Sequence, residues 1–270
     1  MKVVTLCENR LEPCFQLKAS HGLSLFIETD DYKILYDVGQ DNVFYENAKA
    51  LSVDIEGADA VVISHGHFDH AGGLKYLKDL KNVIISADSF REKVRVHNNE
   101  EMDIGISKKL SEFRCLGKDI SNSFQIHKGV WCIANVNLSS PYQCMEKGLS
   151  EKQSDGIITE DSFSDELNLA IETPDGLYVI SGCAHKGVIN ILKEAQKITG
   201  INKIHTFIGG MHLNFADETQ IHDVLLELKK FNISRYVVGH CTGFDAIYMM
   251  KTMMEPETEI VNNYVGYSFN

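Results

Sequence analysis

The sequence predicts an α/β fold built as a sandwich of two pseudo-symmetric halves. Three observations carry this. Strand-like and helix-like segments alternate at both ends of the chain, a hairpin pattern occurs twice, and several buried strands run into glycine and histidine. Slid onto 167–183 without gaps, residues 23–39 place Leu23, Leu25, Ile27, Glu28, Thr29 and Asp31 on Leu167, Leu169, Ile171, Glu172, Thr173 and Asp175. Unrelated hairpins share some of this, because turns draw on few residue types. The strand ending at His65 also has a counterpart in the strand ending at His240. On the duplicated reading, the polar strand ends of both halves meet at one edge.

Taken in order, residues 1–7 alternate enough for a strand, and 23–39 read as two strands joined by a tight turn at Thr29, Asp30 and Asp31. Residues 43–51 suit a short helix. Residues 58–65, "ADAVVISH", carry a run of apolar positions and then polar ones, the pattern of a buried strand. Leu74, Leu77 and Leu80 give 71–80 helical spacing, and 82–88 is strand-like again. Residues 89–165 are rich in polar and charged side chains and read as a capping or connecting region. Beyond it come a hairpin over 167–183, a helix over 187–200 that stops at Gly200, a strand at "KIHTFIGG", an amphipathic helix over 218–231, and a buried strand over 235–240.

The 270 residues show no composition break, so one domain spanning 1–270 is expected. A net charge of −12 argues against a general nucleic-acid surface or an anionic membrane surface. No run approaches the ~20 apolar residues of a membrane span, and the polar N-terminus does not resemble a signal peptide. The seven scattered cysteines, with no CxxC, then read as thiols of a cytoplasmic protein.

The chemistry concentrates in "VVISHGHFDHAGG", residues 61–73. His65, His67, Asp69 and His70 fall within six positions directly after a buried strand. Imidazole with carboxylate suits zinc, iron or manganese. His65 and His67, two apart on an extended loop, can grip one ion; Asp69 and His70, where the chain turns toward the next helix, can hold a second. Further donors follow other strands: Cys183 and His185 in "VISGCAHKG", His212 in "FIGGMHL", and His240 and Cys241 in "VVGHCTG". His97, His127, His205 and His222 lack that context and read as surface or ordinary core residues.

These segments, with "SHGLSLFIET" and "ILYDVGQ", resemble the metallo-β-lactamase superfamily. More narrowly, they resemble the branch of the dihydropterin-ribofuranosylaminobenzene phosphate synthase of the methanopterin pathway. The resemblance covers most of the chain. It implies a four-layer αββα sandwich with a dinuclear site at the strand ends, holding two divalent ions: zinc, with iron or manganese as alternatives. It assigns His65 and His67 to the first ion, and Asp69, His70 and His240 to the second. Cys183 stands where relatives carry a bridging aspartate or a cysteine, and Asp37 matches the acid that orients the ligand loop. The GHTxGH-like segment that usually supplies a third ligand to the first ion is missing between 71 and 182, so His185 is expected in its place. Cys183 is then either a ligand or a thiol packed beneath the site.

The activity implied is hydrolysis of a phosphoester or related ester by a metal-bound hydroxide, since paired ions bring the pKa of water down from 15.7 toward about 7. Asp69 or His212 would pass a proton to the leaving group. His212, His21 and Arg91 are the candidates for binding a small, phosphorylated substrate, although a basic run such as Arg91, Lys93 and Arg95 more often forms a solvated helix face. One alternative is a synthase that condenses a pterin with a phosphorylated aminobenzene riboside. Another is a metal-binding protein without catalysis. Oxygen- or nitric-oxide-reducing chemistry fits less well with the cysteine and histidine bias and the lack of a flavin-binding half.

Overall fold

Both hairpins of the repeat form, and both close in the same way. Ser24–Glu28 pairs antiparallel with Lys33–Tyr36, and Asn168–Thr173 with Gly176–Ser181. In the first turn the Thr29 hydroxyl donates to the Tyr32 carbonyl at 3.0 Å; in the second the Thr173 hydroxyl donates to the Gly176 carbonyl at 2.7 Å. A threonine at the start of each turn thus takes over a hydrogen bond that the narrowing ladder can no longer make.

The computed structural model describes residues 1–13, 16–143 and 146–270. These fall into two compact units. The first comprises 1–120, 147–165 and 264–270; the second comprises 121–146 and 166–263. Residues 89–165 therefore contribute to both, and Cys144 and Met145 within that stretch lie outside the described residues, as do Cys14 and Phe15.

The first unit contains a six-stranded sheet in the order Ser268–Phe269, Lys2–Cys7, Ser24–Glu28, Lys33–Tyr36, Ala60–Val62, Val83–Ile84. The second contains a seven-stranded sheet in the order Glu259–Asn262, Arg235–Val238, Ile204–Gly209, Gly176–Ser181, Asn168–Thr173, Val130–Ile133, Phe124–His127. Read outward from Lys2–Cys7, the first sheet pairs antiparallel, antiparallel, parallel, parallel. Read outward from Val130–Ile133, the second repeats that series. Parallel neighbours need a crossover, which supplies the flanking helices. The fold is thus the expected α/β type, with two mixed sheets flanked by helices.

Helix Val43–Ala50 buries Phe44 and Ala48 in the core of the first unit, with Leu6, Leu35, Ile63 and Leu74. In the second unit, helix Val188–Thr199 ends where Gly200 turns left-handed at φ 72°, as the sequence predicts. Helix Glu218–Lys229 starts on a capping box between Asp217 and Gln220. Their apolar faces pack Ile191, Leu192, Val224 and Leu225 into one core with Phe207 and Val238. Helix Phe244–Met253 completes this unit and is absent from the sequence-based element list.

Two expectations need correction. The helical spacing over 71–80 does not make an α-helix there. The α-helix covers only Phe68–Ala71, a 3₁₀ turn follows over Gly72–Tyr76, and Leu77 is already extended. The cause is tertiary: the amide of Gly73 donates to the Gly39 carbonyl at 3.0 Å, pulling the chain onto the 38–41 loop. Leu74 and Leu77 are buried all the same. Likewise, 82–88 is strand only at Val83–Ile84 before a 3₁₀ turn over Ala87–Phe90.

The polar stretch after residue 89 holds a sheet of its own in the first unit. Its four antiparallel strands are, in order, Ile158–Glu160, Leu149–Lys152, Glu92–His97 and Glu100–Asp103. Arg91, Lys93 and Arg95 therefore lie on or beside a strand, not on a helix face. Lys93 is fully buried, its ammonium 2.7 Å from Asp161, 3.0 Å from Asp165 and 3.8 Å from Glu151. Burial alone would discharge it, but the carboxylates of Asp165 and Asp161 outweigh that and push its pKa up. Replacing Lys93 with Met leaves those carboxylates buried against no cation. The expected cost is about 3–5 kcal/mol, read as a lower urea midpoint with an unchanged slope.

Candidate metal centre

In the first unit everything turns on Asp37, which follows strand Lys33–Tyr36. It is fully buried and held at φ 57°, a conformation unusual for a residue with a Cβ. Its Oδ1 accepts the Ser64 amide at 2.7 Å, and its Oδ2 accepts the Ser64 hydroxyl at 2.8 Å and Nδ1–H of His70 at 2.7 Å. A carboxylate can only accept, so His70 carries its proton on Nδ1 and turns a lone pair out at Nε2. Ser64 has spent its own proton on Asp37, so its oxygen accepts from Nδ1–H of His65 at 2.9 Å. His65 is thereby set in the same tautomer. One acid fixes two imidazoles, one directly and one through a hydroxyl.

The loop itself is shaped for close approach. A Cβ on Gly66 would stand 2.1 Å from the Ser89 carbonyl oxygen, so only glycine fits between the two histidines. Its amide donates to Asp165 Oδ2 at 2.7 Å, which links the loop to buried Lys93. Burial raises the pKa of Asp165, but Lys93 and the Gly66 amide prevail and keep it ionised. His65 and His67 are also buried. Desolvation first, then His70 and His67, hold His65 well below its ordinary pKa. Desolvation and then Lys93 lower His67 to about 3. Both are neutral at physiological pH, the form that ligates.

His65 Nε2 and His67 Nδ1 lie 3.0 Å apart. Two nitrogens at metal bonds of 2.0–2.1 Å in a tetrahedral shell would stand about 3.3 Å apart, so the pair fits one ion. Asp69, in the first turn of Phe68–Ala71, puts Oδ2 3.7 Å from His70 Nε2 and 3.3 Å from His21 Nε2. The His21 side chain is half-exposed and tilts over Phe68 with ring centres 6.0 Å apart. Arg91 pairs with Asp88 at 2.8 Å and Glu151 at 3.3 Å.

The second unit gathers a donor set of different character. Ligand atoms of Cys183, His185 and His212 all lie within 4.8 Å of one another, and so do those of Cys183, His240 and Cys241. The Glu166 carboxylate accepts the amides of His185 at 2.5 Å and Lys186 at 3.0 Å. His212 donates Nε2–H to Glu146 at 2.9 Å. The 210–214 and 239–243 loops are stitched together: Asn214 donates to the Cys241 carbonyl at 3.2 Å, and Met211 donates to the Thr242 hydroxyl at 3.1 Å. Burial would raise the Cys241 thiol. Hydrogen bonds from Cys183 and His212, with the charges of His212 and His240, hold it well below its ordinary range instead.

Backbone strain marks the same places in both units. Asp37, Ala184, His212 and His240 all have φ between 49° and 57°. Each lies within three residues of the end of a parallel strand: Tyr36, Ser181, Gly209 and Val238. The chain is bent sharply at each exit, at or beside a candidate ligand or its supporting acid.

Of the predicted residues, the first unit brings together Asp37, His65, His67, Asp69, His70 and His21, and the second brings together Cys183, His185, His212 and His240. None of the four histidines read as ordinary is among the convergent donor groups of the described residues. His205 stacks on Tyr178, and His222 is half-exposed beside Asp223. Sequence reasoning misses Ser64, Asp165, Glu166 and Glu146, reads Lys93 only as part of a basic run, and names Cys241 among the donors after the strands without assigning it to either ion. For the carboxylates there is little to find, since thirty-eight acidic residues share the composition. Ser64 and Cys241 had a usable signal: each is adjacent in sequence to a candidate ligand histidine.

Comparison with known proteins agrees with this architecture. The metallo-beta-lactamase superfamily model matches residues 17–240. The 7,8-dihydropterin-6-methyl-4-(beta-D-ribofuranosyl)-aminobenzene-5'-phosphate synthase of Methanocaldococcus jannaschii is 30% identical over 275 residues, covering 96% of this chain and 93% of its own. The crystal structure of Tm1679, a metal-dependent hydrolase of the beta-lactamase superfamily, superposes with a TM-score of 0.85 at 27% identity, covering 100% of this chain and 98% of that one. Zn(2+)-bound PqqB from Methylobacterium extorquens shares the fold at a TM-score of 0.57 and 10% identity, with both chains covered in full. The chain belongs to the metallo-beta-lactamase superfamily, in the branch of the dihydropterin-ribofuranosylaminobenzene phosphate synthase.

Proposed function

We propose that this protein is a dinuclear metal-dependent hydrolase acting on a phosphoester or related ester of a small, phosphorylated substrate in the cytoplasm. The observation that carries the reading is the relay from Asp37. Its carboxylate and the Ser64 hydroxyl set His70 and His65 in the tautomer that turns Nε2 outward. A histidine that merely filled space would need no such control. Ligands are drawn from His65, His67, Asp69 and His70 and from Cys183, His185 and His240, with zinc the best match to imidazole and thiolate together.

When bound, the ions supply Lewis acidity and make water a nucleophile at neutral pH. The protein's own groups do the rest. Asp37 holds the ligand loop in register through Ser64 and His70. Asp165 does the same from the other side through the Gly66 amide. Asp69 or His212 returns the proton to the leaving oxygen. His21 lies beside Asp69 and is exposed enough to meet substrate. Arg91 is a second candidate anion-binding group, once substrate competes with Asp88 and Glu151 for its guanidinium. A second reading, condensation of a pterin with a phosphorylated aminobenzene riboside, is favoured by the similarity to the synthase over nearly the whole chain.

Protein purified without added metal and assayed on phosphodiesters, phosphomonoesters and lactones, beside the pterin condensation, separates the readings. Activity should vanish with chelator and return with zinc, and His65→Ala should lose bound metal and at least ~100-fold in rate. If His65→Ala keeps both metal and activity, the ligand assignment fails; metal without turnover of any substrate leaves a binding protein. Asp37→Asn should weaken metal affinity about 10–100-fold by equilibrium dialysis, while the fold survives.

Acid should act in a defined direction. His65 and His67 have folded pKa values below the unfolded 6.5, so below that pH the unfolded chain takes up protons that the folded chain refuses. Their stabilisation is complete above about pH 6.5 and is lost as pH falls below it, at about 1.4 kcal/mol per pH unit down to about pH 3 for His67. Urea melts of metal-free protein between pH 4 and 8 measure it. A stability that stays flat below pH 6.5 contradicts the assignment.

A further inference from the structure

We propose that Cys241 is a metal ligand, so that the second unit presents two thiolates and its ion is a thiophilic one such as zinc or ferrous iron, not magnesium or manganese. The inference rests on the metal-dependent reading above and extends it to the ligand set. Three observations support it.

The first is convergence. Cys241, Cys183 and His240 present ligand atoms all within 4.8 Å of one another, and Cys183 is shared with the neighbouring set of His185 and His212. Five donors, two of them sulfur, thus crowd one buried corner of a single unit. Bonds of about 2.3 Å to sulfur and 2.0 Å to nitrogen would draw these atoms closer around a common ion.

The second is room made for the sulfur. A Cβ on Gly210 would stand 2.4 Å from Cys241 Sγ, so this glycine leaves the space that the thiol occupies. Gly210 is itself pinned, its amide donating to the Gly182 carbonyl at 2.9 Å. A thiol that only filled a gap could be accommodated in many ways; here the backbone is cut away beneath it.

The third is how Cys241 is delivered. His240, the preceding residue, adopts φ 49°, and the Asn214 amide holds the Cys241 carbonyl. The bend places His240 and Cys241, adjacent in sequence, in the same donor set, although neighbours on a regular strand face opposite ways. Cys132, by contrast, is a buried cysteine on strand Val130–Ile133 whose thiol is pushed up to about 12 by burial. It is the internal control for a cysteine that only packs.

Soft thiolates discriminate against oxygen-seeking cations, so the second sulfur bears on metal identity. The test is made on the full chain. In wild-type protein loaded with cadmium-113, the NMR shift counts the thiolates on each ion. At least one resonance should fall in the two-thiolate range, and resonances confined to one thiolate or none overturn the proposal. In cobalt-loaded protein, Cys241→Ser and Cys183→Ser should each lose about half of the thiolate-to-cobalt charge-transfer band, and Cys132→Ser none of it. A full band in Cys241→Ser, with none in Cys183→Ser, overturns it. The wild-type cadmium measurement decides the matter even if a variant does not fold. Absence of any bound metal sinks this inference and the proposed function together. Bound metal without a second thiolate sinks this one alone.

Discussion

A single buried carboxylate organises the first half of this protein. Asp37 accepts three hydrogen bonds while fully excluded from solvent, so its buried oxygens are satisfied rather than left without donors. Two of the donors belong to Ser64, at the end of one strand, and one to His70, in the following helical turn. Asp37 therefore fixes the distance between strand end and turn, and with it the span of the HxHxDH loop. Its left-handed backbone is the cost of bringing the carboxyl group beneath that loop rather than beside it.

The other supports repeat this logic with different residues. Asp165 grips the Gly66 amide from a carboxylate that Lys93 keeps ionised, and Glu166 grips the amides of His185 and Lys186. These two acids are consecutive in sequence, and the boundary between the two units falls between them. In each unit a backbone amide beside a candidate ligand is held by a buried acid. Loops are ordinarily the variable part of a fold; here their amides are held as firmly as those of a strand. That rigidity is what a metal site asks of its scaffold, since ligand atoms must be placed to within a fraction of an ångström.

The two units differ in chemical temper. The first offers imidazoles and a carboxylate, all hard or borderline donors. The second adds sulfur beside three imidazoles. The proposed ligand set would therefore mix both kinds of donor. Borderline ions satisfy both halves, whereas purely oxygen-seeking ones do not.

Much of this was legible in the chain. Apolar alternation located both hairpins, and the gapless match of Leu23 through Asp31 onto Leu167 through Asp175 anticipated the duplicated order of strand pairings. His65, His67, Asp69 and His70 announced themselves because a metal site needs several strong ligands at short spacing, and such clusters are rare by chance. The 3₁₀ turn after Ala71 was not legible, because the leucine spacing is local while the hydrogen bond from Gly73 to Gly39 is not. Nor were Lys93, Asp165, Glu166 and Glu146, whose residue types are abundant and whose importance comes only from burial. By itself, then, the sequence determined the two hairpins, the helices that end near Gly200 and start at Glu218, and which side chains can bind metal, since periodicity and ligand chemistry are properties of neighbouring residues. Only the tertiary structure decided which tautomer each histidine adopts, which acids stay charged, and that Cys241 stands with Cys183, because those depend on contacts between residues dozens of positions apart.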